Sequence, residues 1–236
     1  MKAVSTVTLP PGFRSKFLDA LTPTEVKAVL AAAREERTLP RQVLQRQGEL
    51  AHRLCLPLTG RVANYRLLDD GSKLFVRWGL PGDIFGLWTL LAEPSTYQLT
   101  VEAVQEGSLL TWDRASSRMF IGQFPNLLKA VHSLAAGAMD DFIDVLAIRA
   151  SLTVPRRLAQ MLVKSASQIG RVGSEGIELD FTNEQLALVA QVGLFTACRQ
   201  LSKWQALGIV RKKRGKILLR SLPRLENIAK DGNHRP

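Results

Sequence analysis

Cysteine is nearly absent: Cys55 and Cys198 stand far apart, without companions at metal-ligand spacing. That excludes a disulfide framework and an iron–sulfur cluster, both of which need grouped thiols. Histidine is equally sparse, and neither His52 nor His132 stands in a ligand pattern that would hold haem or a metal. No apolar run approaches the ~20 residues that cross a bilayer. Met1 to Ser5 carry a charge but no apolar stretch behind it, so no secretory signal is expected. A glycine-rich phosphate loop, a nucleophile elbow and a zinc pattern are all missing. Asp140, Asp141 and Asp144 form the one acid cluster, and helical spacing puts them largely on one solvated side. The expectation is a reduced cytoplasmic protein with no membrane partner, no catalytic or metal site and no evident cofactor.

Positive charge, by contrast, is abundant, with 32 Lys and Arg against 21 Asp and Glu. Residues 1–150 hold 17 bases and 15 acids, whereas residues 151–236 hold 15 bases and 6 acids. Between Arg199 and Arg220 lie eight basic residues and no acid. Such a run is either a solvated face or an electrostatic footprint for phosphates, where released counterions supply affinity. Charge alone leaves the two readings level; the pattern beneath it decides.

The first ~40 residues read as helical and peripheral. Thr22, Pro23 and Glu25 offer a capped helix start, followed by Val26, Val29 and Leu30 on one face. From about Arg37 to Asp113 short apolar runs alternate with turn signals at Gln47-Gly48, Thr59-Gly60, Asp70-Gly71, Pro81-Gly82 and Ala92-Glu93-Pro94-Ser95. Asp70-Gly71 between two apolar runs predicts a hairpin with a primed turn, and the regular spacing predicts a β-barrel or β-roll. From Pro125 to about Ala150 a helix is expected, with Leu127, Val131, Leu134 and Ala138 at four-three spacing and Leu128, Ala135 and Phe142 every seven. Two seams suggest one face for the helix's own domain and one for a partner helix; the first seam is assigned to dimerisation. Thr153-Val154-Pro155 breaks the pattern as a hinge. A helix to about Ser167 and a strand over Ile177 to Phe181 come next, then a capping box at Thr182 to Gln185 and a break at Gln191-Val192-Gly193. A second helix runs from Leu194 to Leu207 with Ala197, Leu201 and Trp204 inward. A basic hairpin of Arg211, Lys212, Lys213, Arg214 and Lys216 succeeds it, and a polar tail from Lys230 to Pro236 ends the chain. Helix, break, helix, basic hairpin is the winged helix-turn-helix order.

These residues resemble the Crp/Fnr family of bacterial transcription regulators from about Arg37 to Ala229. The resemblance is carried by Gly48, Gly60, Asp70-Gly71 and Pro81-Gly82-Asp83-Ile84-Phe85-Gly86. Its later carriers are Arg157-Leu158-Ala159, Thr182 with Leu186-Ala187, Arg199, Leu201, Gly208 and Ile209-Val210. It implies an α+β architecture: an effector-binding, cyclic-nucleotide-binding-type β-roll (1–124), a long central dimerisation helix (125–152) and a winged helix-turn-helix (153–236). It further implies a homodimer on double-stranded DNA at a pseudo-palindromic operator, with RNA polymerase as a partner if the protein activates.

The departures from the family pattern carry information too. Following Gly86, Leu87 stands where cyclic-AMP-binding members carry a glutamate, and Tyr97 and Gln98 stand where they carry an Arg-Ser pair. Phe142 and Ile143 occupy the positions that would meet the adenine. Without an arginine fork the charge-assisted bonds to a cyclic phosphate are lost, which argues against cyclic AMP control. Either the pocket is filled by its own side chains, or Leu87, Trp88, Tyr97 and Phe142 receive an apolar or aromatic effector of unknown identity. In the second helix Gly193, Leu194, Phe195 and Thr196 replace the family's Ser-Arg-Glu-Thr. Leu194 and Phe195 cannot make bidentate bonds to base edges, which leaves them to touch thymine methyls or to pack against protein; Arg199 is the residue assigned to a guanine, with a phosphate clamp as its alternative. Thr196, Lys203 and the wing are assigned to phosphates. The competing reading is an interaction protein of this fold that has lost sequence-specific DNA binding.

Overall fold

A computed structural model describes residues 7–91, 95–151 and 153–231. Residues 1–6, 92–94, 152 and 232–236 lie outside the described residues, and with them most of the turn expected at 92–95 and of the polar tail. The chain forms two compact units, Met1–Phe142 and Ile143–Pro236. The boundary falls inside a long helix, where the sequence reading expected divisions at 124 and 152.

In the first unit, helix α1 (Pro23–Ala31) starts as expected, with Thr22 and Glu25 bonded reciprocally in a capping box. Two antiparallel sheets follow. One has the order β1 (Arg34–Thr38), β7 (Gly107–Asp113), β3 (Arg53–Pro57); the other has β2 (Val43–Gln45), β6 (Thr100–Ala103), β4 (Val62–Leu67), β5 (Lys73–Gly79). Helices α2 (Trp88–Leu91), α3 (Arg114–Gln123) and the part of α4 (Pro125–Ser151) up to Phe142 complete it. Arg34 to Thr38 corrects the helical reading of the N-terminal stretch. Its polar composition carries no strand signal, but all five residues pair with β7, from Arg34 opposite Thr111 to Thr38 opposite Gly107. The β4–β5 hairpin is present, yet its turn is not the primed one. Leu68 N–H bonds to Ser72 O at 2.9 Å, and Gly71 takes φ +78° while Asp70 keeps a negative φ. That is the three-residue loop with a left-handed glycine.

The core of this unit joins Leu54, Leu56, Leu58, Leu110 and Trp112 of the sheet to Phe17, Leu18, Val29, Phe120, Leu127 and Val131. The Trp112 indole donates to Val29 O at 2.8 Å, so the N-terminal helix is bonded into the core rather than peripheral. Leu127 and Val131 are fully buried here and Leu134 packs against the same cluster. This corrects the dimer-seam assignment: Leu127, Val131 and Leu134 face their own domain, because the sheet offers the apolar surface they need. The exposed apolar residues of α4 are instead Leu128, Met139, Ile143 and Leu146.

The second unit contains α5 (Val154–Ile169), β8 (Arg171–Gly173), β9 (Gly176–Leu179), α6 (Asn183–Val189), α7 (Leu194–Ala206), β10 (Val210–Lys213), β11 (Lys216–Leu219) and α8 (Leu222–Asp231). Its sheet has the order β10-β11-β9-β8. Thr153 is the N-cap of α5 and Pro155 fits its first turn, where a missing N–H costs nothing. Helix α8 was not anticipated; Leu225 and Ile228 bury its inner side.

Gly86 is a position where the fold requires glycine. Its φ is +86°, and a Cβ there would sit 2.5 Å from Arg53 O, because Phe85 and Cys55 exchange backbone bonds of 2.9 and 3.0 Å. Gly86→Ala is expected to destabilise the protein by about 1–3 kcal/mol, read as a lowered midpoint in urea unfolding.

Candidate nucleic-acid interface and effector cavity

Helix α6 is opened by Thr182, whose Oγ1 accepts from Gln185 N–H at 3.1 Å while Gln185 Oε1 accepts from Thr182 N–H at 3.0 Å. The chain then turns through Gln191, which adopts φ +54°, with Val192 N–H bonded to Ala187 O at 3.0 Å. Gly193 caps α7 without a side-chain bond. Ala197, Gln200, Leu201 and Trp204 are the buried side of α7. Helical period therefore fixes the other side, and Leu194, Phe195, Arg199, Ser202 and Lys203 are exposed there, with Thr196 half-buried.

The wing is seated on α7 by Lys212, whose N–H donates to Gln205 Oε1 and whose Nζ donates to Ser202 Oγ, each at 2.9 Å. Arg214 and Gly215 form its exposed tip. The charge of the strands is less available than the sequence implies. Pairing of β11 with β9 brings Glu178 beside the lysines: Lys216 Nζ lies 2.6 Å and Lys213 Nζ 3.4 Å from its carboxylate. Asp180 is 3.6 Å from Lys216, and Glu175 is 3.7 Å from Arg211. The Lys216 hydrogen bond, reinforced by Lys213, holds the Glu178 carboxyl below its usual range, and the same bond raises Lys216. Of the five wing cations that the sequence assigns to phosphates, Arg211, Lys213 and Lys216 thus lie beside a carboxylate of their own unit.

In the first unit a cavity of about 260 Å³ lies between the β2-β6-β4-β5 sheet, the Ile84–Trp88 segment and α4. Gly86, Leu87, Trp88 and Phe142 line it, as do Leu134 and Ala138 of the supposed dimer seam. Tyr97 and Gln98 do not line it. The Tyr97 ring is buried and its hydroxyl bonds to the N–H groups of His52 and Arg53 and to Arg53 O, all at 3.0–3.1 Å. Those bonds turn the ring away from the cavity, and Leu99 lines it instead. Gln98 bonds locally to Thr96, and Ile143 is exposed. Three polar residues that the sequence reading missed complete the wall: Gln45, Asn64 and Arg77. Their signal was a polar residue at an otherwise apolar position of a strand. Arg77 is ion-paired with Asp141 at 3.2 Å and with Asp83 at 3.6 Å.

Asp144 pairs with Lys164 at 3.4 Å, so Asp141 and Asp144 both serve ion pairs. His52 bonds to Leu50 O and lies edge-on to Tyr97, and His132 is exposed. Among the described residues no group of three His, Cys, Asp or Glu side chains could hold a metal, and no helix is long and apolar enough to cross a membrane. Cys55 is buried, and burial pushes its thiol up to about 12, far from a reactive thiolate.

Two family models match the chain: the cyclic nucleotide-binding domain over residues 35–123 and the Crp-like helix-turn-helix domain over residues 156–228. The CRP-like cAMP-activated global transcriptional regulator of Mycobacterium tuberculosis is 23% identical over 186 residues, spanning 78% of this chain and 83% of that protein. The solved structure of FixK2 from Bradyrhizobium japonicum superposes with a TM-score of 0.72 at 24% identity, covering 83% of this chain and 96% of that one. The c-di-GMP responsive global regulator CLP of Xanthomonas campestris gives a TM-score of 0.76 at 19% identity, covering 85% and 100%. A cyclic-nucleotide-binding-type β-roll followed by a winged helix-turn-helix defines a DNA-binding regulator with a sensory-type domain. The chain belongs to the Crp/Fnr family of transcriptional regulators.

Glu178→Gln is expected to release Lys213 and Lys216 toward phosphates. Affinity for a random duplex should rise, and the slope of log K against log salt should steepen by about one to two units in fluorescence-anisotropy titrations.

Proposed function

We propose that this protein regulates transcription in the cytoplasm as a homodimer that reads a pseudo-palindromic operator and is not controlled by cyclic AMP. The observation that carries the reading is the outward side of α7, where Arg199 and Lys203 are exposed beside a wing seated on the same helix. A helix presented in this way enters the major groove with its N-terminal half toward base edges. Arg199 is the guanine reader; Thr182, Gly193, Thr196, Lys203, Arg211, Lys212 and Arg214 hold backbone phosphates.

Dimerisation is supported by α4. Leu128, His132, Ala136 and Met139 recur at three- and four-residue spacing on the side away from Leu127 and Val131, and Met139, which also lines the cavity, is 62% exposed. The small, exposed Ala136 lets a second copy of the helix approach closely, and two joined recognition helices then address half-sites about one turn of DNA apart. Independence from cyclic AMP is supported by the cavity. Leu87 offers no bond to a ribose hydroxyl, and Arg77, the cation in the described wall, already faces two carboxylates.

Selection of bound duplexes from a random pool tests the reading. A repeatable pseudo-palindrome is expected, unchanged by added cyclic AMP, and Arg199→Ala should lose roughly 1–3 kcal/mol of specific binding while random-sequence binding persists. Salt-dependent binding with no enriched sequence would leave only an interaction protein of this fold.

A further inference from the structure

The cavity has a chemical character of its own, and that character defines a ligand class on the reading that the cavity is an effector site. Its wall is mostly apolar, formed by Phe85, Leu87, Trp88, Leu99 and Phe142. Gln45, on β2, is another lining residue and is only 7% exposed. Its amide orientation is set, because Nε2 donates to Leu99 O at 3.0 Å. That leaves Oε1 as a buried acceptor with no hydrogen-bond partner. An unsatisfied buried carbonyl is costly, and no donor group of the wall bonds to it. The one cation of the described wall, Arg77, is held between Asp83 and Asp141, so an anion would have to displace a carboxylate to reach it. We propose that the cavity takes a neutral, largely apolar small molecule that donates one hydrogen bond to Gln45 Oε1.

Isothermal titration of the full-length protein with 4-butylphenol, with its methyl ether 4-butylanisole and with cyclic AMP tests this. The phenol and the ether share shape and apolarity and differ in the O–H donor. The phenol should bind about 5-fold more tightly than the ether, Gln45→Leu should level the two, and cyclic AMP should not compete. Equal binding of phenol and ether to the unaltered protein overturns the donor assignment while keeping the cavity as an effector site. Tighter binding of cyclic AMP overturns the ligand class. Binding of none of the three overturns the effector-site reading itself.

A second observation stands independently in the other unit. Phe195 is 91% exposed in the first turn of α7, beside the exposed Leu194 and one turn before Arg199. The buried side of α7 runs through Ala197, Leu201 and Trp204, so Phe195 has no role in the fold of this unit. An apolar tip on a helix that also exposes Arg199 and Lys203, with a basic wing bonded to its far end, is matched in charge to a phosphate-lined groove. The apolar group on the major-groove base edges is the C5 methyl of thymine. We infer that Phe195, with Leu194, reads thymine by that methyl group. This rests on DNA binding by α7, and the test separates the two. In the selected duplex, each thymine of a half-site is replaced in turn by deoxyuridine, which keeps every hydrogen-bonding group and lacks the methyl. At one or two positions affinity should fall about 4-fold per methyl, and Phe195→Ala should bind thymine and uracil duplexes equally. A deoxyuridine series that is neutral throughout, or one whose losses persist in Phe195→Ala, overturns the inference with DNA binding intact. A failure to bind any duplex overturns the helix-turn-helix reading instead.

Discussion

The burial of Leu127 and Val131 in the sheet interior fixes the rotation of α4, and much of the first unit's capacity depends on that rotation. A helix has 3.6 residues per turn, so committing one stripe of side chains decides where every other stripe points. Leu134, Ala138 and Phe142 are carried round to the cavity, Leu128 is carried to the outside, and Met139 is exposed while also lining the cavity. One helix thus serves as core, as cavity wall and as exposed apolar face. Replacing a core residue of α4 would disturb all three, since none can be re-aimed separately.

Arg77 adds a polar link to the same arrangement. It sits on β5, and its partners are Asp83, in the loop after that strand, and Asp141, on α4. The sheet, the loop leading to the Ile84–Trp88 wall and the helix therefore meet at one guanidinium. A half-exposed pair of this kind adds little to stability in water. Its value is geometric: three lining segments of the cavity share a single charged group, so a change at one is felt by the others.

Much of this was legible in the sequence. The capping boxes at Thr22 and Thr182, the apolar runs around Asp70-Gly71 and the helix-break-helix order each rest on local rules, and each gave an element close to its final bounds. The exposed state of Phe195 and the buried state of Trp204 follow from the helical period alone. The illegible parts depended on neighbours distant in the chain. Arg34 to Thr38 became a strand because β7 offered a free edge. The seams on α4 were both visible, one residue apart, but periodicity names faces and not what lies against them, so the dimer stripe was placed on the buried side. Tyr97 left the cavity for backbone groups at residues 52 and 53, over forty positions away. Local pattern fixes elements, and strand pairing decides which side chains meet.

The pairing that sets Glu178 among the wing lysines has a consequence for how such a protein finds its site. A regulator must sort its operator from ~10⁶–10⁹ competing sequences, and most of its time is spent on the wrong ones. Each lysine freely offered to phosphate lengthens every one of those visits equally, because the backbone charge is the same everywhere. If α7 reads bases as proposed, a wing that carries part of its own counter-charge shortens dwell on random DNA without touching that side of the helix. On the proposed reading, speed of search follows from the β9–β11 pairing, and choice of sequence from a separate helix.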